Sequence, residues 1–376
     1  MNQTKPAPTP FSANYSPQLP ELLLSLNCTI ALTTYQAGKL VFISPNPDKE
    51  RLITLPRTFN KPMGIAVNGD KMLVASKDEV LLLENSRELA NSYPNKPNTY
   101  DSLWLPRVTF YTGQVDMHDI SFGNDCIYAI NSSFSCLCKV DGNFNFKPFW
   151  QPPFIDKLAS EDRCHLNGLV MVDGAPKYVT ALGQTNTRQG WRDNIAAGGI
   201  LMDIETNEII LDELAMPHSP TIYKDELYLL LSASGEFIKV NIAEKSYEVI
   251  KKFDGFCRGL SIYNDYAFIG FSKLRKNSST FAKLSFSDKA NFAGVKVIHM
   301  PTNAVVGEVI YQTSIDEIYE VEILPDMIRP NILNTINDMH KHSLSIPNNT
   351  FWANPEGKEQ ETISRLSRVA YDNIKG

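Results

Sequence analysis

The sequence predicts an all-β fold, a six-bladed β-propeller closed by pairing its N- and C-terminal strands. Three observations predict it. A few polar residues, a short apolar strand, a tight turn and a second β-rich strand recur in "KPMGIAVNGDKMLVAS", "DMHDISFGNDCIYAIN", "CHLNGLVMVDGAPKYVTAL", "MPHSPTIYKDELYLLLSAS" and "GFCRGLSIYNDYAFIGFS", with a last partial copy in "EIYEVEILP". Successive copies begin about 40–60 residues apart, the spacing of a four-stranded blade. The last copy stops after one strand, whereas "CTIALTTYQAGKLVFIS" near the start reads as a hairpin without an innermost strand. Joining the two closes the ring and removes an exposed sheet edge.

In chain order, residues 1–24 are polar and proline-rich and read as an N-terminal extension. Residues 25–328 hold the repeats and form the propeller. The turns "NGDK", "GNDC", "YKDE" and "YNDY" carry the Asn, Asp and Gly that hairpins require. Residues 329–376 form a C-terminal extension, with helical periodicity only in its last part, where Ile363, Leu366, Ala370 and Ile374 share one stripe. That tail is expected to pack outside the ring.

With 376 residues, 43% of them hydrophobic, and a net charge of -6, the chain can bury a large core but lacks the basic surface of a nucleic-acid binder. No secretion signal is legible, and "ELLLSL" is too short to span a bilayer, so a cytoplasmic location without membrane partners is expected. The six cysteines are scattered and read as reduced. Cys136 and Cys138 share a strand face, yet no second pair accompanies them to complete a metal site.

The first strand of each blade lines the central channel, and side chains two apart share a face. Aligning the repeat starts puts Met63, His118, Asn167, His218, Arg258 and Tyr319 in one column. Lys61, Asp116, His165, Met216, Phe256 and Glu317 form a second column two residues earlier. Imidazoles from three blades meeting on an axis supply three nitrogen ligands, so His118, His165 and His218 are candidate ligands of a divalent metal, iron, zinc or another. The alternative is that they hydrogen-bond one another and water in a polar channel. Asp116, Glu317 and Asn167 are candidate outer partners of those rings.

Loops between the second and third strands return to the same mouth. They contribute Tyr35 and Gln36 from "TYQAGK", Arg188, Trp191 and Arg192 from "GQTNTRQGWRDNIAAGG", and Lys273 and Arg275 from "SKLRKNSS". Guanidinium groups hold carboxylate or phosphate through paired donors, so these residues, with Asn167, are candidate substrate contacts. Solvated loop charge, and packing of Trp191 on a neighbouring loop, are the alternatives.

At "DRCHLNGL", "VTALGQTNTRQGWR", "MPHSPT", "GFCRGLSI", "FIGFSKLR", "EIYEVEILP" and "TTYQAGKL" the chain resembles a bacterial family known mainly as conserved hypothetical propeller-like proteins. The resemblance covers about residues 25–330. It implies the fold and little more; some members are joined to tetratricopeptide-type repeats, which leaves a repeat-protein partner as an open alternative. More distantly, the chain looks like carotenoid-cleaving oxygenases, with four axial histidines against three here, and like gluconolactonase-like propellers, which use carboxylate and asparagine ligands. Fold likeness does not fix chemistry.

Two functions follow, beside a third alternative, a purely structural ring that docks to repeat proteins. One is a metal-dependent enzyme, hydrolytic, lyase or oxygenase, acting on an anionic small molecule or peptide side chain. In it Asp116 or Glu317 orients a ligand or moves a proton, and Arg258 positions the anion. The other is a non-catalytic module binding a peptide, glycan or protein at the same mouth.

Overall fold

The computed structural model describes residues 9–48, 50–274 and 290–353, which form six blades of antiparallel strands in a ring and a separate hairpin of Ser343–Ile346 with Asn349–Trp352. From the axis outward, blade 1 is Ile65–Asn68, Lys71–Ala75, Glu79–Asn85 and Ser102–Tyr111; blade 2 is Met117–Phe122, Ile127–Asn131, Cys136–Val140 and Lys147–Trp150. Blade 3 is Leu166–Val172, Ala175–Ala181, Gly199–Asp203 and Ile209–Leu214; blade 4 is Pro217–Tyr223, Glu226–Leu231, Glu236–Asn241 and Ser246–Lys252. Blade 5 is Phe256–Tyr263, Tyr266–Ser272, Gly294–His299 and Ala304–Tyr311. Innermost strands touch in ring order, blade 6 meeting blade 1.

Blade 6 is composite, as the sequence predicts. Its inner strand Glu320–Pro325 pairs with Cys28–Thr34, register Cys28 to Pro325 through Thr33 to Glu320, followed outward by Lys39–Pro45 and Leu52–Thr58. The inner turns are tight because two successive residues adopt left-handed backbone in Asp173–Gly174, Lys224–Asp225 and Asn264–Asp265. This is the type I′ geometry that matches strand twist.

Chain extensions shield the outer edges of two blades. Ala13–Tyr15 adds to blade 5, and Pro330–Ile332 lies parallel on blade 1. The helix Leu19–Ser25 starts with a proline in its first turn and buries Leu19 and Leu23 in the core shared by blades 5 and 6. The predicted C-terminal helix lies outside the described residues.

Two devices set the spacing of the blades. At the top of five blades a side chain donates to a carbonyl at or just before the start of the next blade's inner strand. Thr33 reaches Met63 (2.5 Å), Ser132 reaches Leu166 (2.5 Å), Ser232 reaches Cys257 (2.6 Å) and Ser272 reaches Ile318 (3.1 Å). Blade 3 has Leu182 where the others carry a hydroxyl. There the Asn167 amide substitutes, donating to Pro217 O at 2.9 Å while Thr180 holds its carbonyl at 2.6 Å. Such bonds are each worth about 1 kcal/mol when buried.

Lower down, the inner strands alternate Gly64, Asp119, Gly168, Ser219, Gly259 and Glu320. Glycine lets the neighbouring backbone approach, and the polar side chain bonds it. Leu169 N–H donates to Asp119 (2.8 Å), and Gly259 N–H donates to Ser219 (3.0 Å). Gly259 has φ +84°, and a Cβ there would sit 2.8 Å from Val321 N. Gly259→Ala is therefore expected to cost roughly 2–4 kcal/mol in urea unfolding. A smaller loss than about 1 kcal/mol would mean that blades 5 and 6 separate easily.

Candidate functional site

Entry into the inner strands is bent. Lys61, Asp116, His165 and Met216 have φ between +50° and +55°, in register across blades 1–4. The bend lets the carbonyls of Asp116, His165 and Met216 accept from the second strand, from Ser132, Leu182 and Ser232. Left-handed backbone costs a residue with a side chain about 1–2 kcal/mol, and its recurrence marks a built feature. It also breaks strict alternation, so the two predicted columns do not present uniform faces.

The imidazoles do converge. The His118 ring lies 5.4 Å from His165, 5.9 Å from His218 and 4.8 Å from Tyr319, centroid to centroid. Arg258 joins them: its Nη2 donates to His118 Nε2 at 2.8 Å, and its guanidinium lies 3.5 Å from the Tyr319 ring centroid. An arginine only donates, so His118 Nε2 carries the lone pair.

The other two rings are fixed by their Nδ1 atoms. His218 Nδ1–H reaches Met216 O (3.0 Å) and Ser232 Oγ (2.9 Å), and His165 Nδ1–H reaches Asp162 Oδ1 (2.9 Å). Each keeps Nε2 as an acceptor. Asp162 also accepts from Trp191 Nε1 (3.0 Å), and the Trp191 ring stacks 4.4 Å from His165. Burial first, then the charge of Arg258, holds His118 and His218 well below the ordinary imidazole range. Both are neutral at pH 7.

These groups border a cavity of about 550 Å³. His165, His218 and Arg258 line it beside Leu182, Met216, Phe256, Leu274 and Trp191, while Tyr35, Gln36, Ser272, Lys273 and Glu317 complete the lining. The Gln36 N–H donates to Glu317 Oε2 (3.1 Å), and Lys273 is paired with Asp316 (2.6 Å).

Other predicted residues lie elsewhere. Asp116 is exposed and accepts from Ser133 (3.2 Å), and Asn167 serves the clasp between blades 3 and 4. Arg188 and Arg192 are exposed outside the cavity lining, the Arg192 guanidinium 4.4 Å from the Trp191 ring centroid. The position of Arg275 falls outside the described residues. Cys136 and Cys138 are buried core residues, and burial pushes the Cys136 thiol up to about 12.

As candidate metal ligands, the imidazoles were tested by their partners. His118 Nε2 is already occupied by a permanent cation, which repels a second one at that nitrogen. Among the described residues no three His, Cys, Asp or Glu side chains are grouped to hold a metal ion. In this arrangement the layer does not fit a metal. It suits an anion, held by Arg258, with His165 oriented by Asp162 to accept a proton at Nε2.

Sequence reasoning missed Asp162 and the channel carboxylates. Asp119, Glu320 and Glu322 lie on inner strands, and burial pushes them up to about 6, 8 and 8. Their signal was present as "HDI" and the alternating "EVEI" of innermost strands. Folded Glu322 keeps its proton to a higher pH than the unfolded chain does, so its stabilising share is lost as pH rises from about 4.5 through about 8. Glu322→Gln should be more stable than the parent by about 1–3 kcal/mol at pH 9, after allowing for screening by channel water, and equal to it at pH 4. Thermal melts at both values check this; a gain independent of pH would contradict it.

Among the described residues no helix is long and apolar enough to cross a membrane. No curated protein matches the sequence. Among solved structures, the chain is similar to one in the crystal structure of a nidogen/laminin complex, at 10% identity and a TM-score of 0.48, covering 80% of this chain and 99% of that one. Residues 17–333 match a domain of unknown function, DUF4915, and the chain belongs to that family.

Proposed function

We propose that this propeller binds a small anionic molecule, or an acidic group of a peptide, at the mouth of its channel. Arg258 is the anchor, and the Asp162–His165 pair is the proton acceptor beside it. The observation that carries the reading is the state of Arg258. It makes no ion pair with a carboxylate among the described residues, and its Nε is buried without a partner. In a half-buried guanidinium a covered donor without a partner is costly, and a ligand that satisfies it lowers that cost. Calorimetric titration of the whole chain with simple carboxylates and inorganic phosphate tests the reading, and absence of binding to all of them overturns it.

A metal-dependent enzyme acting on such an anion is the second reading. It is favoured by the Nδ1 hydrogen bonds of His165 and His218, which orient imidazoles as they do in metal sites. It requires the Arg258 guanidinium to leave His118. After metal-supplemented expression this reading expects bound metal that is lost on replacing His118 and His218 by alanine. Metal below about a tenth of an equivalent retires it.

A further inference from the structure

We infer that the ligand is a monocarboxylate with an apolar body, an acyl or aryl acid carrying one negative charge. This rests on the anion-binding reading above. Charge comes first. Among the described cavity-lining residues the cations are Arg258 and Lys273, and Lys273 is already paired with Asp316 at 2.6 Å. Glu317 lines the same cavity, so a second negative charge on the ligand would meet a carboxylate instead of a cation.

Shape of the donor comes next. One Nη of Arg258 is committed to His118 and one face of the guanidinium to Tyr319, while Nε is unpartnered. The N–H groups of a guanidinium lie in one plane, a geometry that matches the two oxygens of a carboxylate.

One wall of the cavity is apolar. Leu182, Trp191, Met216 and Phe256 are each 6% exposed or less and belong to one hydrophobic cluster, with Leu274 packed against it. A pocket of this size, with an apolar wall and, among the described residues, one cation outside any ion pair, recognises an amphiphile by burying its body and fixing its head.

The test is calorimetry on the full chain with acetate, butyrate, hexanoate, phenylacetate, succinate, inorganic phosphate and hexanol. Affinity should rise about fourfold per added methylene from acetate to hexanoate. Phenylacetate should exceed acetate by more than about tenfold, and succinate should bind more weakly than butyrate. Phe256→Ala should flatten the dependence on chain length. Succinate or phosphate binding more tightly than hexanoate would overturn the monocarboxylate assignment while leaving an anion site in place. Hexanol matching hexanoate, or no binding by any anion, would overturn the anion-binding reading itself and this inference with it.

Discussion

Arg258→Ala is expected to weaken carboxylate binding by about 100-fold, because truncating a half-buried, charge-assisted partner costs about 2–3 kcal/mol. Arg258→Lys should recover only part of this: an ammonium keeps the charge but lacks the planar donor edge and the stack on Tyr319. A second readout comes from the imidazoles. The charge of Arg258 is one of the causes that hold His118 and His218 low, so both should titrate at higher pH in Arg258→Ala, followed by NMR. The linkage has a definite sign. Unfolded imidazoles take protons near pH 6.5 and the folded ones do not, so this contribution to stability is lost as pH falls below about 6.5. Arg258→Ala should soften that acid limit. Unchanged ligand affinity in the alanine variant would remove Arg258 from the site.

Ending the chain after Tyr319 is expected to abolish cooperative folding. The deletion removes the inner strand Glu320–Pro325, and with it the register that runs from Cys28 to Thr33. Val321, Ile323 and Leu324 are at most 3% exposed, and burying each contributes about 1.5–3 kcal/mol. Their loss rivals the whole stability of an ordinary domain, about 5–15 kcal/mol. Circular dichroism and a thermal melt check this. Supplying residues 317–333 as a separate peptide should restore part of the transition; a truncated chain that melts like the parent would show that closure contributes little.

The ring was legible because its signals are local and repeated. Turn residues such as Asn264 and Asp265 mark the inner hairpins, and the orphan strand of "EIYEVEILP" fits the hairpin that lacks a partner. The convergence of His118, His165, His218 and Arg258 followed from that ring. What sequence could not supply is direction. The left-handed residue at each of four entrances turns side chains out of simple alternation, so Asn167 and His218, equivalent in the column, have different work. Arg188 and Arg192 were placed by loop membership alone, which says where a backbone begins and ends but not which way a side chain leaves it. Asp162 sits outside every repeated column, and only contact with His165 and Trp191 reveals it.

The hydroxyl clasps have one further consequence. At the level where Thr33, Ser132, Asn167, Ser232 and Ser272 each tie a sheet to the next, Ser76 of blade 1 has no partner. The circle is thus stitched unevenly. Breathing of the assembly should begin between blades 1 and 2, where amide hydrogens would exchange with solvent sooner than at the other five junctions.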